Sequence, residues 1–166
     1  KENTDALFCG SQSQAQVSVR VGYDDGNVYL LAERADDFLT ERDALTFFLG
    51  GKDGGVYRLT LDGKGIESLD FGKAVSGEEE ISFTPCDAEK AGVRASLRLC
   101  GKESGVAGLI YEVAFPRSLL DAEKGISLLF DLVNADSPDG EAEREEGKPG
   151  AILSDRKTWF TASFEG

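Results

Sequence analysis

The stretch GLIYEVAFPRSLL, residues 108–120, has the clearest two-residue alternation in the chain. Successive side chains of a β-strand point to opposite faces, so its alternate apolar residues share one face. These residues are Leu109, Tyr111, Val113 and Phe115. The pattern predicts a strand that buries this face in a layered fold. Glu112 lies on the opposite face, where it either meets solvent or is a paired carboxylate near a groove.

Pro116 is expected to end this strand, because proline has no N–H to offer a neighbouring strand. Its fixed φ also suits the first position of a helix. We therefore expect a short helical turn over Arg117–Asp121, in which Leu119 and Leu120 close the end of the core. A second helical turn is expected at Asp87–Ala91.

Short segments of strand character recur along the chain and are separated by turns rich in glycine and aspartate. Besides residues 108–115, they cover residues 17–23, 27–35, 44–50, 55–62, 65–72, 80–84, 92–100, 126–134 and 158–164. Helical periodicity is scarce, and no internal repeat is visible. This pattern predicts an all-β sandwich or barrel.

The length of 166 residues fits a single domain, residues 1–166, with a core that needs no disulfide or metal. The chain has 31 acidic and 18 basic residues and a formal net charge of -13. This acidity disfavours nucleic acids and anionic membrane surfaces as partners. No segment approaches the roughly 18 apolar residues of a membrane span, so we expect no membrane insertion. A start at Lys1 suggests a mature form or a piece of a larger protein.

Histidine and methionine are absent. The chain therefore offers no imidazole base and no histidine ligand for zinc, copper or haem. The three cysteines, Cys9, Cys86 and Cys100, are odd in number, and their spacing matches no metal site. Cys100 follows the apolar pattern of its strand and is expected to be a buried free thiol. Cys9 could form a bridge with another cysteine.

The segment SPDGEAEREEGKPG, residues 137–150, is polar and rich in residues that break regular structure. Such a composition buries too little apolar area to order itself, which predicts a solvated surface loop. The alternative is a loop at the rim of a binding site.

The unit at residues 108–120 resembles the segment Y-x-x-E-x-x-[IF]-P-x-x-x-L of family 9 carbohydrate-binding modules and their DOMON-like relatives. The residues close to that pattern are Tyr111, Glu112, Phe115, Pro116 and Leu119 or Leu120. Further segments resemble family segments in the same order. They are VRVGYDDGNVYLLAERADD (19–37), RDALTFFLGG (42–51), ISLLFDLVNADS (126–137) and TWFTASFEG (158–166).

The resemblance covers nearly the whole chain and implies a two-sheet antiparallel β-sandwich, jelly-roll-like, with one or two short helical turns. It also implies a noncatalytic carbohydrate-binding module of a secreted or cell-surface glycan-degrading protein. Such a module would be located outside the cell, either monomeric or attached to a larger chain. The alternative is a protein-interaction or scaffold domain of the same fold without a sugar site. Catalysis ranks last, because no nucleophile elbow, Cys–His couple or phosphate-binding loop is present.

The resemblance also shows where this chain departs from the family. Members that bind sugar clamp it between two tryptophans, whereas this chain has one tryptophan, Trp159. Thr46 stands where the family usually carries glutamate, and Gly50 and Gly51 stand where aspartate is common. These departures predict either a different ligand or the loss of the sugar site.

The candidate sugar-binding residues are Trp159, Arg34, Asp36 and Glu112. Trp159 would offer an aromatic face to a sugar ring, but aromatic side chains also dominate protein cores. Arg34 and Asp36, at the end of a strand, carry groups that hydrogen-bond sugar hydroxyls. The alternative for this pair of positions is an exposed salt bridge of small energetic effect.

Oxygen-bearing side chains are crowded on the turn that contains Asp24, Asp25 and Asn27. Carboxylate and amide oxygens are the ligands that Ca²⁺ prefers, so this turn is a candidate site for structural calcium. The alternative is an ordinary turn, because Asp, Asn and Gly are preferred turn residues. Asn134 and Asp136 form a second, weaker pair of oxygen ligands.

Overall fold

The structure is a computed structural model that describes residues 7–10, 15–36, 43–75, 77–100, 107–134 and 143–164. These residues form two antiparallel sheets, as the sequence predicts. The five-stranded sheet has the spatial order β1-β2-β3-β9-β8. Its strands are β1 (Leu7–Gly10), β2 (Ala15–Tyr23), β3 (Asn27–Asp36), β8 (Arg94–Cys100) and β9 (Ala107–Pro116).

The seven-stranded sheet has the order β11-β10-β4-β5-β6-β7, and β12 also pairs with β10. One edge of β10 pairs with β4, while β12 and β11 follow one another along its other edge. The strands of this sheet are β4 (Ala44–Gly50), β5 (Gly55–Asp62), β6 (Gly65–Lys73), β7 (Phe83–Cys86), β10 (Gly125–Asn134), β11 (Glu143–Glu146) and β12 (Phe160–Ser163).

Helical structure in the described residues is confined to single turns. The α-helix α1 spans Ala88–Ala91, and the side chain of Asp87 caps it by accepting a hydrogen bond from the amide of Lys90. The three 3-10 turns are Lys52–Gly54, Arg117–Leu119 and Arg156–Thr158. The predictions of helical turns near residues 87–91 and 117–121 are therefore confirmed. No helix among the described residues has the length and apolar character to cross a membrane.

The core lies between the sheets and is built from their inward-facing alternate residues. On β9, Leu109, Tyr111, Val113 and Phe115 are at most 5% exposed, which confirms the alternation in the sequence. They pack with inward residues of the opposite sheet, including Leu45, Phe47, Leu59 and Phe130. Burial of these inward faces is the main stabilising contribution in a sandwich.

Pro116 is the last residue of β9, and the 3-10 turn Arg117–Leu119 follows it directly. The guanidinium group of Arg117 fixes this corner by donating to the backbone oxygens of Ala122, Asp24 and Glu123 at 2.8, 3.1 and 3.2 Å. The change from strand to turn therefore reflects both the missing proline N–H and a side chain that satisfies three carbonyl groups.

The prediction of a loop over residues 137–150 is wrong for residues 143–146, which form β11. Backbone pairing with β10 orders this polar segment, and Arg144 binds the carboxylate of Asp131. Residues 137–142 lie outside the described residues, as do Asp136 and the side chains of Cys9 and Cys100. Cys86 is a free, partly buried cysteine.

Tyr111 links the two sheets, because its hydroxyl donates to the backbone oxygen of Asp62 at 3.1 Å. Burial raises the pKa of Tyr111 to about 12. We expect Tyr111→Phe to lower the free energy of unfolding by about 1 kcal/mol at neutral pH, through loss of this hydrogen bond.

The pH dependence gives the second part of this prediction. An unfolded tyrosine ionises near its ordinary pKa of 10.0, whereas folded Tyr111 stays neutral up to about 12. The contribution of Tyr111 is therefore fully present below pH 10 and is lost as the pH rises toward 12. Urea unfolding of the unmodified protein and of Tyr111→Phe, at neutral pH and near pH 11, measures the difference between their free energies of unfolding. This difference should be smaller near pH 11. An equal difference in the free energy of unfolding at both pH values would contradict the burial of the Tyr111 hydroxyl.

Candidate functional site

A groove of about 660 Å³ lies on the outer face of the five-stranded sheet, opposite the core. We call it the outer groove. Its outward-facing residues come from β2, β3, β9 and β8, and the main ones are Arg20, Tyr29, Leu31, Arg94, Ser96 and Glu112. The volume lies within the roughly 300–1,000 Å³ range of small-molecule sites.

Strand register arranges the groove in rows that run across the sheet. One row contains Gly22, Tyr29, Ala114 and Arg94, and the next contains Arg20, Leu31, Glu112 and Ser96. Directly opposite residues on one face have Cβ atoms about 4.5–5.5 Å apart. The groove therefore places an aromatic ring, an aliphatic side chain and several hydrogen-bonding groups within reach of one ligand.

Tyr29 has small neighbours on both sides, since Gly22 and Ala114 are its cross-strand partners. The side chain is 39% exposed, although most large apolar residues in the described part of the chain are at least partly buried. Its hydroxyl donates to Oδ2 of Asp24 at 2.6 Å, which fixes the far end of the ring. Tyr29 is thus an oriented aromatic platform whose flanks are not filled by neighbouring side chains.

Asp24 orders the turn that leads into this platform. Its Oδ1 accepts hydrogen bonds from the amides of Gly26 and Asn27 at 2.8 and 2.7 Å. The hydrogen bond from Tyr29, followed by those from Asn27 and Gly26, holds the pKa of Asp24 below its usual value. Sequence analysis identified this turn by its oxygen atoms, and the structure shows that the Asp24 carboxylate binds groups within the chain.

These contacts do not favour calcium at Asp24, Asp25 and Asn27. Both carboxylate oxygens of Asp24 already accept hydrogen bonds, and Asp25 is exposed. Within the described ranges, no group of three or more acidic, cysteine or histidine side chains is placed to hold a metal ion. Calcium binding at this turn stays a prediction from sequence.

Glu112 is the one predicted sugar-binding residue that the structure places in the outer groove. It is exposed and lies between Leu31 of β3 and Ser96 of β8. Among the residues that the structure describes, no cation lies within ion-pair distance of its carboxylate. Of the two interpretations of Glu112, the structure supports the solvent-facing one.

Arg34 is only 1% exposed and cannot contact a surface ligand, contrary to the prediction from sequence. It lies on the inward face of β3 and crosses to the other sheet. There it donates to the backbone oxygens of Ala44 and Val133 at 3.1 and 3.0 Å and pairs with Asp43 at 3.2 Å. The alternative of an exposed salt bridge is equally wrong, because both side chains are buried. The side chain of Asp36 lies outside the described residues.

Trp159 is also buried, at 2% exposure. It packs with Phe48, Val56 and Leu129 on the outer face of the seven-stranded sheet, and its indole N–H donates to the oxygen of Ile152 at 3.0 Å. The structure therefore supports core packing for this tryptophan and not a sugar platform.

A smaller cavity of about 130 Å³ lies beside this cluster, between Phe48, Asp131 and Arg144. Asp131 is 6% exposed and accepts a hydrogen bond from Nε of Arg144 at 3.0 Å. Burial raises the pKa of Asp131, and the hydrogen bond from Arg144 opposes this effect. The cavity is narrow, and Asp131 and Arg144 already bind one another, so the outer groove is the better candidate site.

Sequence analysis missed Tyr29, Leu31, Arg94 and Ser96. The alternation in NVYLLAERA, residues 27–35, carries the missing signal, because it places Tyr29 and Leu31 on the face opposite Val28 and Leu30. The same alternation places Arg34 on the inward face. The described site residues that the sequence predicted therefore lie in four places. Glu112 lies in the outer groove, Arg34 in the core, Trp159 on the outer face of the seven-stranded sheet, and the group at residues 24–27 on the turn between β2 and β3.

Comparisons with known proteins found solved structures of similar fold. No family model matches the sequence, and no curated protein matches it. A family 9 carbohydrate-binding module from Caldicellulosiruptor kristjanssonii in complex with glucose superposes with a TM-score of 0.63 at 13% identity, covering 100% of this chain and 84% of that one. A proposed carbohydrate-binding protein from Bacteroides uniformis superposes with a TM-score of 0.62 at 16% identity, covering 91% of this chain and 79% of that one.

A structure of a C. kristjanssonii family 9 module in complex with cellotriose gives a TM-score of 0.53 at 12% identity, covering 88% of this chain and 71% of that one. At this level of identity the likeness concerns the fold. The chain has the β-sandwich fold of family 9 carbohydrate-binding modules, as the resemblance in the sequence implied. The likeness to DOMON domains remains a resemblance of sequence segments.

The burial of Arg34 generates a prediction about stability. Arg34→Ala leaves the buried carboxylate of Asp43 without its guanidinium partner, so we expect the free energy of unfolding to fall by about 3–5 kcal/mol. Arg20→Ala is the matched control, because Arg20 forms an exposed pair with Glu33 at 3.7 Å and should change stability by less than about 1 kcal/mol. Chemical denaturation measures both, and equal effects would contradict the structural role of Arg34.

The turn at Asp24 generates a second prediction. Asp24→Ala removes the acceptor for two amides and for the hydroxyl of Tyr29, so its melting temperature should be lower at neutral pH. Because the folded-state pKa of Asp24 is lowered, its contribution is present above the ordinary aspartate value of 3.8 and is lost as the pH falls through the folded value. The difference in melting temperature between Asp24→Ala and the unmodified protein should therefore be smaller at acid pH.

Asp25→Ala is the control for this experiment, since it removes a neighbouring exposed carboxylate from the same turn. Thermal unfolding of the three proteins at neutral and acid pH makes the comparison. If Asp25→Ala lowers the melting temperature as much as Asp24→Ala does, the hydrogen bonds of Asp24 are not the cause.

Proposed function

We propose that this chain is a noncatalytic carbohydrate-binding module whose ligand lies in the outer groove. The observation that carries the proposal is Tyr29, an exposed and fixed aromatic ring between the small residues Gly22 and Ala114. A sugar ring has apolar C–H faces that pack on an aromatic ring. The small neighbours leave space for such a ring beside the tyrosine.

Polar groups around the platform suit the hydroxyl groups of a sugar. Glu112 accepts hydrogen bonds, Arg94 donates them, and the hydroxyl of Ser96 does both. Leu31 adds apolar surface next to Glu112 in the same row. This combination of a mainly apolar floor with a few polar groups is characteristic of small-molecule sites in general.

The structural neighbours support the same class of ligand. The two C. kristjanssonii family 9 structures that share this fold are complexes with glucose and with cellotriose. A fold does not fix a function, so the proposal depends on the outer groove itself. By the family resemblance, we place the module in a secreted or cell-surface protein that acts on glycans.

The absence of catalysis is part of the proposal. Glycoside hydrolases need a pair of carboxyl groups that flank the scissile bond. Among the described residues that line the outer groove, Glu112 is the one carboxylate. We therefore expect binding without release of reducing sugar.

The test is calorimetric titration of the protein with a panel of soluble oligosaccharides. Tyr29→Ala should weaken the binding of the best ligand by about tenfold or more, because a central aromatic contact contributes over ~1 kcal/mol. Tyr29→Phe keeps the ring and removes only the hydroxyl, so it should bind within about threefold of the unmodified protein.

Val75→Ala is the control outside the groove, since Val75 is exposed at 54% and does not line it. Two outcomes would refute the proposal. One is unchanged affinity in Tyr29→Ala, and the other is no binding of any oligosaccharide. Capture of a purified protein partner in the latter case would support the interaction or scaffold domain.

A further inference from the structure

We propose that the glycan bound in the outer groove is anionic and that its carboxylate or sulfate groups bind Arg94 and Arg98. This inference rests on the proposed function and specifies the class of ligand. It is carried by the arginine side chains of the structure, which fall into two groups according to their partners.

Most of the arginines in the described ranges bind groups of their own chain. Arg58, Arg144 and Arg156 contact carboxylates of Asp70, Asp131 and Asp121. As described above, Arg20 and Arg34 also pair with acidic residues, and Arg117 binds three backbone oxygens. In a chain with 31 acidic and 18 basic residues, internal partners are abundant.

Arg94 and Arg98 are the exceptions within the part of the chain that the structure describes. Both are exposed, and neither forms an ion pair or a hydrogen bond with another described residue. They lie on the same outward face of β8, with Ser96 between them. Their guanidinium groups are therefore available to a ligand.

The position of the two arginines suits an extended ligand. β8 is an edge strand of its sheet, and four residues of strand separate the two positions by about 13 Å. Arg94 lines the outer groove in the row of Tyr29. Arg98 lies beyond the lining of the groove on the same face, in the row of Glu33 and Ile110. A chain of sugars that packs on Tyr29 and runs along β8 would present anionic groups on separate rings to the two arginines.

Guanidinium groups suit this task, because they bind carboxylate and sulfate oxygens through two parallel hydrogen bonds. Among the described residues, the acidic groups on or beside this face are Glu33, which pairs with Arg20, Glu112, and Asp24. The carboxylate of Asp24 already accepts hydrogen bonds from the hydroxyl of Tyr29 and from two backbone amides. Glu112 accepts hydrogen bonds from sugar hydroxyls and disfavours an anionic group next to it. The groove therefore selects a glycan with spaced anionic groups and free hydroxyls between them.

The experiment titrates the full chain with three probes: oligogalacturonate, a chondroitin sulfate oligosaccharide and a cello-oligosaccharide. We expect at least one of the two acidic probes to bind at least tenfold more tightly than the neutral one. Arg94→Gln and Arg98→Gln should each weaken that binding about tenfold, as expected for loss of a charge-assisted hydrogen bond. The two acidic probes distinguish a carboxylate ligand from a sulfate ligand.

Lys73→Gln is the matched control, because it removes one exposed positive charge from the seven-stranded sheet, outside the groove. It should leave the affinity unchanged, and thermal unfolding should show all three variants to be folded. If Lys73→Gln weakens binding as much as Arg94→Gln does, the attraction is nonspecific and the inference is overturned.

The remaining outcomes separate this inference from the function on which it rests. Binding of the neutral probe as tightly as the acidic ones, with no effect of Arg94→Gln or Arg98→Gln, overturns the anionic ligand and leaves sugar binding intact. Failure of all three probes and of the wider oligosaccharide panel overturns both.

Discussion

The alternation of side chains along the paired strands β3 and β9 determines both the core and the outer groove. The two strands pair over their full lengths. Leu30 and Val113 of this pair point inward and are buried, whereas Tyr29 and Glu112 point outward and are exposed. A shift in register by one residue would exchange the two faces of a strand. The apolar contacts that stabilise the sandwich therefore also fix the positions of the groove residues.

Local pattern in the sequence was enough to predict the central strands and two of the four helical turns in the described residues. The alternation of residues 109–115 requires one face of the strand to be buried, and the proline after them ends the strand in any compact fold. The strand at Glu143–Glu146 could not be predicted in this way, because its sequence is polar. It is ordered by contacts that are distant in sequence, namely pairing with β10 and the bond between Arg144 and Asp131.

The candidate site was harder to predict than the fold, and for two different reasons. Arg34 was predicted to bind sugar because it carries hydrogen-bonding groups near the end of a strand, although its position in the alternation of β3 places it inside. The position of Trp159 depends on which outer face of the sandwich is covered by the chain. That is a property of the tertiary structure, and alternation around residues 158–164 does not determine it.

The outer faces of the two sheets differ: that of the seven-stranded sheet is covered by part of the chain, whereas that of the five-stranded sheet carries the outer groove. On the seven-stranded sheet, Phe48 and Leu129 are apolar and outward-facing, and Trp159 covers them. A chain with one tryptophan cannot form a clamp of two, and the burial of Trp159 also removes that residue from the surface. On the five-stranded sheet, the proposed site takes its aromatic contact from Tyr29 and its charged contacts from Arg94 and Arg98, which form no ion pair or hydrogen bond with another described residue. Because those side chains contribute little to the core, substitutions among them can alter the preferred ligand at small cost in stability.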